Sequence, residues 1–150
     1  MSDDEEVVQF SEMGLDGRLL KSIGDLGWQE PTMIQEKAIP LALDGKDILA
    51  RGRTGCGKTG AFLIPILNKI LEAKTRNSTQ KTRAIILAPS KELTSQIAQH
   101  AHDLNRHTSR EITIIDVGTN SNESMTPLLA DRPDVVVTTP AKLLSHLKVI

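Results

Sequence analysis

The segment that most restricts what this chain can fold into is Gly52-Arg-Thr-Gly-Cys-Gly-Lys58-Thr59. A short apolar run, Asp47 to Arg51, leads into it, and a long amphipathic run, Lys58 to Ala73, leads out. The octapeptide fits G-x-x-x-x-G-K-[ST] in the context that gives this pattern its meaning, a strand passing into a helix through a glycine-rich turn. The physics requires that order. Glycines let the backbone curl until successive N–H groups face one point, and the helix N-terminus adds the positive end of its dipole. A lysine then reaches the outer phosphates of a nucleotide, and a Ser or Thr hydroxyl can ligate Mg²⁺. Gly52, Arg53, Thr54, Gly55, Cys56, Gly57, Lys58 and Thr59 are therefore read as a triphosphate cradle, with Lys58 nearest the chemistry and Thr59 as the metal ligand. A helix N-terminus and Lys58 both favour a thiolate at Cys56, which makes a reactive thiol the sharper reading there. The plainer one is a small residue that contributes its backbone N–H.

Short apolar runs and longer amphipathic ones alternate along the rest of the chain. The predicted strands are Asp47 to Arg51, Arg83 to Ala88, Ile112 to Val117 and Asp134 to Thr138. They lack strict in-out alternation, as expected of parallel strands buried on both faces. Leu15, Leu19, Leu20, Ile23 and Leu26 recur at helical spacing and predict a helix over about 16–26. Pro31-Thr32 opens a second helix that ends near Asp44-Gly45, and further helices are expected over 58–73, 90–106 and 141–149. Strand–helix alternation of this kind implies an open α/β fold, a largely parallel sheet with helices on both faces. Lys74 to Thr82 and Thr119 to Pro127 are polar and read as surface loops.

With 150 residues, 39% apolar and 25% charged, the chain suits one ordinary globular domain. Its longest apolar stretch, Ala61 to Leu67, is interrupted by Pro65, so no membrane span is expected. The acidic start, Met-Ser-Asp-Asp-Glu-Glu, is unlike a secretory signal, and a single Cys forms no internal disulfide, which points to an intracellular, reducing compartment. Residues 1–9 read as an acidic arm. Residues 1–30 hold eight acids and two bases, whereas 31–150 hold eleven acids and sixteen bases. That excess suits a mixed solvated surface and a basic groove equally well. Two Phe, one Trp and no Tyr are too few for a base-stacking platform, so contact with nucleic acid would run through the sugar-phosphate backbone. His100, His102 and His107 lack the carboxylate or thiol partners of a metal site. Asn105, Ser145 and His146 are as easily surface residues as functional ones, and a lone His is more often packed or solvated than catalytic.

Upstream of the glycine-rich loop stands Gly27-Trp28-Gln29-Glu30-Pro31-Thr32-Met33-Ile34-Gln35, with Phe10 seventeen positions before Gly27. Thr32-x-x-Gln35 by itself is a capping box, in which the Gln side chain returns to the Thr32 N–H. The whole segment resembles the Q motif of DEAD-box RNA helicases, G-F-x-x-P-T-x-I-Q with an upstream aromatic, Trp28 replacing the usual Phe. The resemblance implies that Gln35 reads the adenine edge and that Phe10 packs on the base, hence ATP over GTP. Pro89-Ser90-Lys91-Glu92-Leu93 followed by Gln96-Ile97 resembles the family's P-T-R-E-L-A-x-Q-I, and Thr139-Pro140-Ala141-Lys142 resembles T-P-G-R. These segments imply backbone-directed, sequence-independent RNA contact through Pro89, Ser90, Lys91, Thr139, Pro140 and Lys142. Lys91 and Lys142 keep the charge of the family's Arg but lose its bidentate fork. Gly118, in Val117-Gly118-Thr119-Asn120, stands alone where the family often has a Gly-Gly pair beside RNA.

The resemblance extends from about Phe10 to the C-terminus and implies a RecA-like P-loop NTPase fold, with ATP and Mg²⁺ as cofactors. No Asp-Glu-Ala-Asp or Ser-Ala-Thr segment occurs in the 150 residues. Residues 10–150 are accordingly expected to be a partial first RecA-like domain, truncated before the Walker B strand. The expected function is the ATP- and RNA-binding portion of an ATP-dependent RNA helicase, catalytically incomplete as given. The alternative is a non-catalytic nucleotide- or RNA-binding fragment or an interfering isoform. Lys91 and the closing Leu143-Leu144-Ser145-His146-Leu147 resemble the nucleolar subgroup concerned with large ribosomal subunit assembly, which implies a nuclear or nucleolar location.

Overall fold

The computed structural model describes residues 6, 8–55 and 57–147; the acidic-arm residues before these, Cys56 and Val149 lie outside the described residues. A 3₁₀ turn, Phe10–Glu12, precedes helices α1 (Gly17–Asp25), α2 (Met33–Leu43) and α3 (Lys58–Arg76). Strand β1 (Ala84–Leu87), helix α4 (Lys91–Leu104), strand β2 (Ile114–Asp116), helix α5 (Asn122–Ala130), strand β3 (Val135–Thr138) and helix α6 (Pro140–Leu147) follow. Side-chain caps set several helix starts. Asp16 accepts from the Arg18 N–H, Thr32 from Gln35, Ser90 from Leu93 and Ser121 from Ser124, each satisfying a donor that the first turn leaves free.

The three strands form one parallel sheet in the order β1-β3-β2. Ala84 stands opposite Val135 and Leu87 opposite Thr138, while Ile114 also pairs with Val135 on the other side. Successive side chains of the central strand point to opposite faces. Val135 and Val137 join the larger core with Leu63, Ile64 and Leu67 of α3 and Ile97, Ala101 and Leu104 of α4. Val136 joins a smaller cluster on the other face, with Met125 of α5. Helices therefore cover both faces, as the alternation predicted.

Four expectations need correction. The run 47–51 is not a strand: it pairs with no neighbour among the described residues, and Ile48 and Leu49 are exposed. A strand requires a partner about 4.8 Å away, and among the described residues the sheet ends at β1. For the same reason β1 is an edge strand, and Ile85 and Leu87 are about half exposed rather than buried on both faces. The segment 119–127, read as a loop, contributes most of α5, which Ser121 starts and which tolerates Pro127 in its interior. Asn105 is buried, not a surface residue, and His146 is packed rather than solvated. Asn105 donates to the Ile112 carbonyl at 2.8 Å and accepts from the Thr108 hydroxyl at 2.7 Å, closing the turn after α4.

A buried ionic cluster holds the N-terminal ends of the strands. Asp134, fully buried, accepts from the Lys74 ammonium and from the Thr113 N–H, each at 2.9 Å. Its other carboxylate oxygen lies 4.0 Å from Arg83 Nε. The Arg83 guanidinium in turn donates to the carbonyls of Asn77 and Thr79, fixing the loop into β1. Lys74 also donates to the Glu111 carbonyl. No residue of this cluster carries a motif signal.

Candidate nucleotide cleft and nucleic-acid rim

A cleft of about 1120 Å³ lies between the glycine-rich loop and the open side of β1. One wall is Trp28, Thr32, Gln35 and the loop residues Thr54, Gly55, Gly57, Lys58 and Thr59; the other is β1 with Ala88 and Pro89. Gly55 and Gly57 have φ of 84° and 88°, left-handed values that cost a residue with a side chain energy and glycine little. Gly57 is the N-cap of the 19-residue helix α3, so the positive end of a long helix faces the cleft. Lys74 and Arg76 occupy the last turn of that helix and complement its negative end.

Gln35 ties this loop to the segment before it. The capping box is formed: its Oε1 accepts from the Thr32 N–H at 3.0 Å, and the Thr32 hydroxyl accepts from the Gln35 N–H at 3.4 Å. Its Nε2 also donates to the Gly57 carbonyl at 3.2 Å. A primary amide carries two donor hydrogens and an oxygen with two lone pairs, so one donor and one acceptor remain. The packing around it is close. A Cβ built on Gly57 would lie 2.6 Å from Thr32 Oγ1 and 2.7 Å from Gln35 Nε2; one on Gly60 would lie 2.7 Å from the same nitrogen and 3.0 Å from the Trp28 ring. Gly60 was not singled out from the sequence, although it directly follows the Lys-Thr pair.

The Lys58 ammonium donates to the Gly52 carbonyl at 2.5 Å, folding back over the loop. Thr59 is half-buried beside it, and Gly52 is also half-buried, whereas Arg53 and Thr54 are exposed. Trp28 lines the cleft; Phe10 does not, being 4% exposed within the hydrophobic core. The residues fit a bound triphosphate: the turn is curled by two left-handed glycines, a cation stands at its centre and a hydroxyl at its helix start. Among the described residues no cluster of three or more His, Cys, Asp or Glu is placed to hold a metal, and no helix is long and apolar enough to cross a membrane.

Because the sheet is parallel, all three strands end on one rim, and α4, α5 and α6 begin there. Ser90 and Thr139 sit at the first and third of these starts, the Thr139 hydroxyl accepting from the Lys142 N–H at 3.3 Å. Pro140 is the first residue of α6, where a missing N–H costs nothing. Pro89 and Lys91 are exposed. Gly118, at the end of β2, is buried, and its N–H donates to Asp116 at 2.9 Å. The Lys142 ammonium donates to the Asn120 carbonyl and to Asn122 Oδ1. Thr94, Asn120 and Asn122 are part of this rim without having carried a signal by themselves.

Comparison with known proteins agrees with this geometry. The probable ATP-dependent RNA helicase ddx56 of Dictyostelium discoideum is 40% identical over 140 residues, 93% of this chain and 20% of that protein. The ATP-dependent RNA helicase dbp9 of Schizosaccharomyces pombe is 42% identical over 139 residues, 91% of this chain and 23% of that protein. The chain thus spans about a fifth of the length of the curated relatives it matches. Among solved structures, the yeast DEAD-box splicing factor Prp28 superposes with a TM-score of 0.79 at 29% identity, over 95% of this chain and 35% of that one. A hypothetical ATP-dependent RNA helicase from Sulfolobus tokodaii gives 0.75 at 30% identity, over 89% and 37%. Both support the RecA-like fold. The DEAD/DEAH box helicase family matches residues 32–149, most of the chain, and the chain belongs to that family.

Proposed function

We propose that this chain is the ATP- and RNA-binding portion of an ATP-dependent RNA helicase. Gln35 carries the nucleotide part. It is nearly buried, it joins the Thr32 cap to the Gly57 carbonyl, and it keeps one donor and one acceptor beside Trp28. That pair matches the N6 donor and N7 acceptor of adenine. Capping and base reading are therefore compatible in one side chain. Lys58 would leave the Gly52 carbonyl for the outer phosphates, the α3 N-terminus would receive them, and the Thr59 hydroxyl would hold Mg²⁺. The bound metal would offset phosphate charge. Trp28 would pack against the base; for Phe10 its place in the core cluster that Trp28 packs against supports an indirect part.

RNA backbone contact falls to the rim, through Pro89, Ser90, Lys91, Thr139 and Pro140, with Gly118 and Lys142 beside them. Capped helix starts and a lysine suit phosphate oxygens of any sequence. Turnover needs more than this: phosphoryl transfer requires an acid that holds the metal and a positioned water, and an arginine finger in many such enzymes. No Asp-Glu-Ala-Asp segment, which supplies that acid in the family, occurs in these 150 residues, and the reading is that they bind ATP without hydrolysing it. A nucleolar role in large-subunit assembly completes the proposal and rests on Lys91 and the 143–147 segment.

Calorimetric titration with Mg-ATP and Mg-ADP tests the central claim. Saturable binding by the 150-residue chain that Lys58→Ala abolishes is expected, with no ATP turnover above background when RNA is added. RNA-stimulated turnover that Lys58→Ala removes would refute the catalytic part, and absence of nucleotide binding by the folded chain would refute the whole.

A further inference from the structure

The loop between β2 and α5 stands between the two segments that carry the RNA reading, and it is fastened to each of them. On one side Gly118 lies against Thr94 of α4. Thr94 is fully buried, its hydroxyl donates to the Lys91 carbonyl at 2.9 Å, and a Cβ on Gly118 would come within 3.1 Å of its Cβ and Cγ2. On the other side the Lys142 ammonium donates to the Asn120 carbonyl at 3.1 Å and to Asn122 Oδ1 at 3.0 Å. Asn122 then donates to the Ser145 hydroxyl at 2.9 Å, which donates to the Lys142 carbonyl at 2.7 Å. This second set closes a ring between the loop and α6.

We infer that Lys142, Asn122 and the Thr94–Gly118 contact are positioning groups, which hold the 118–122 loop so that the starts of α4 and α6 form one rigid RNA-facing rim. The inference rests on the RNA reading above and changes the part played by two residues in it. Two of the three donors of Lys142 are committed to the loop. The Gly118 N–H is committed to Asp116. In this arrangement both residues act through these bonds rather than as phosphate ligands. Gly118 lacks a side chain because Thr94 fills the space that one would occupy, and Lys142 acts through the loop it fastens.

The test uses the 150-residue chain, a fluorescein-labelled oligouridylate of about ten nucleotides as probe, a series of KCl concentrations, and amide hydrogen exchange across 118–122 without RNA. Lys142→Met is expected to speed exchange in the loop about tenfold and to weaken RNA binding without changing its salt dependence. Asn122→Ala should give the same pair of effects, and the double variant should be no worse than either single one. Gly118→Ala should also loosen the loop, and adding Thr94→Ala should restore its protection. A phosphate ligand behaves differently: Lys142→Met would make the slope of log K against log salt shallower by about 0.7, the share of one contact to a single strand, with loop exchange unchanged. That result overturns the inference. A parent chain that binds no RNA refutes the RNA reading, whereas loop exchange that ignores Lys142→Met refutes the positioning role whether or not RNA binds.

Discussion

Replacing Asp134 with alanine removes the one carboxylate at the buried end of the sheet and leaves its donors behind. Three groups are affected: the Lys74 ammonium and the Thr113 N–H, each bonded to Oδ2 at 2.9 Å, and Arg83, 4.0 Å from Oδ1 with its side chain 7% exposed. Breaking a buried ion pair from one side costs about 3–5 kcal/mol, because the remaining charge stays out of water without a partner. Lys74 moderates this, since its side chain is 16% exposed and keeps its bond to the Glu111 carbonyl. The lower end, about 3 kcal/mol, is therefore expected, which corresponds to a fall in Tm of roughly 6–12 °C for a chain of this size. Asp134→Asn keeps an acceptor for Thr113 but no charge for Lys74 and Arg83, and should fall between alanine and the parent. Urea unfolding followed by circular dichroism, extrapolated linearly to water, gives the number. Mg-ADP affinity, measured well below the transition, should be unchanged, because the cluster lies at the opposite end of the strands from the cleft. A loss below about 1 kcal/mol for Asp134→Ala, no more than one ordinary hydrogen bond, would refute the claim that charge pairing holds this end.

Gln35→Ala is expected to narrow the gap between ATP and GTP affinity by about 1–3 kcal/mol, the scale of an unpaired buried polar group; an intact ATP-to-GTP ratio with a stability loss of about 1 kcal/mol would leave capping as its sole role. Hydrogen bonding from the Arg18 side chain holds the Asp16 carboxyl below the ordinary carboxylate range, and hydrogen bonding from the His107 ring does the same for Asp25. A depressed folded-state value means that this stabilisation is complete above the unfolded pKa of about 3.9 and is lost as pH falls through the folded value. Unfolding free energy measured from about pH 5 to pH 2 should fall less steeply for Asp16→Asn than for the parent, and equal slopes would contradict the Arg18 pairing. Mg-ADP should slow alkylation of Cys56, and prior alkylation should weaken nucleotide binding; equal labelling rates with and without saturating ADP would remove the reactive-thiol reading.

What was legible in the sequence was what local chemistry specifies. The Thr32–Gln35 capping box, the turn through Gly55 and Gly57, and the apolar runs of β1, β2 and β3 each state their own conformation, and each formed. Membership in the sheet is different. Asp47 to Arg51 has the composition of a strand, but a ladder is a property of two segments, and composition does not reveal where the second one is. The exposure of Ile85 and Leu87 was missed for the same reason. Helix α5 was hidden by Pro127 and by the polar start Thr119 to Asn122, although Ser121 with Met125 and Leu129 carried the cap and spacing of a helix. Asn105 was misplaced because polar residues are ordinarily solvated, and burial depends on distant neighbours. The Thr94–Gly118 contact belongs to the same class, since a buried threonine and a lone glycine 24 positions apart explain each other only once α4 lies beside β2.

The two ends of the strands are chemically unlike, and this bears on how such a chain can diverge. One end is closed by Asp134, Lys74 and Arg83, whose charges and burial leave little room for replacement. The other end is solvated, and its helix starts depend on single hydroxyls and exposed cations. Of the positions where this sequence departs from its family's pattern, Ser90, Lys91 and Lys142 lie at that second end, and Trp28 lines the nucleotide cleft. Ligand grip can therefore be changed there one residue at a time while the opposite end keeps the register.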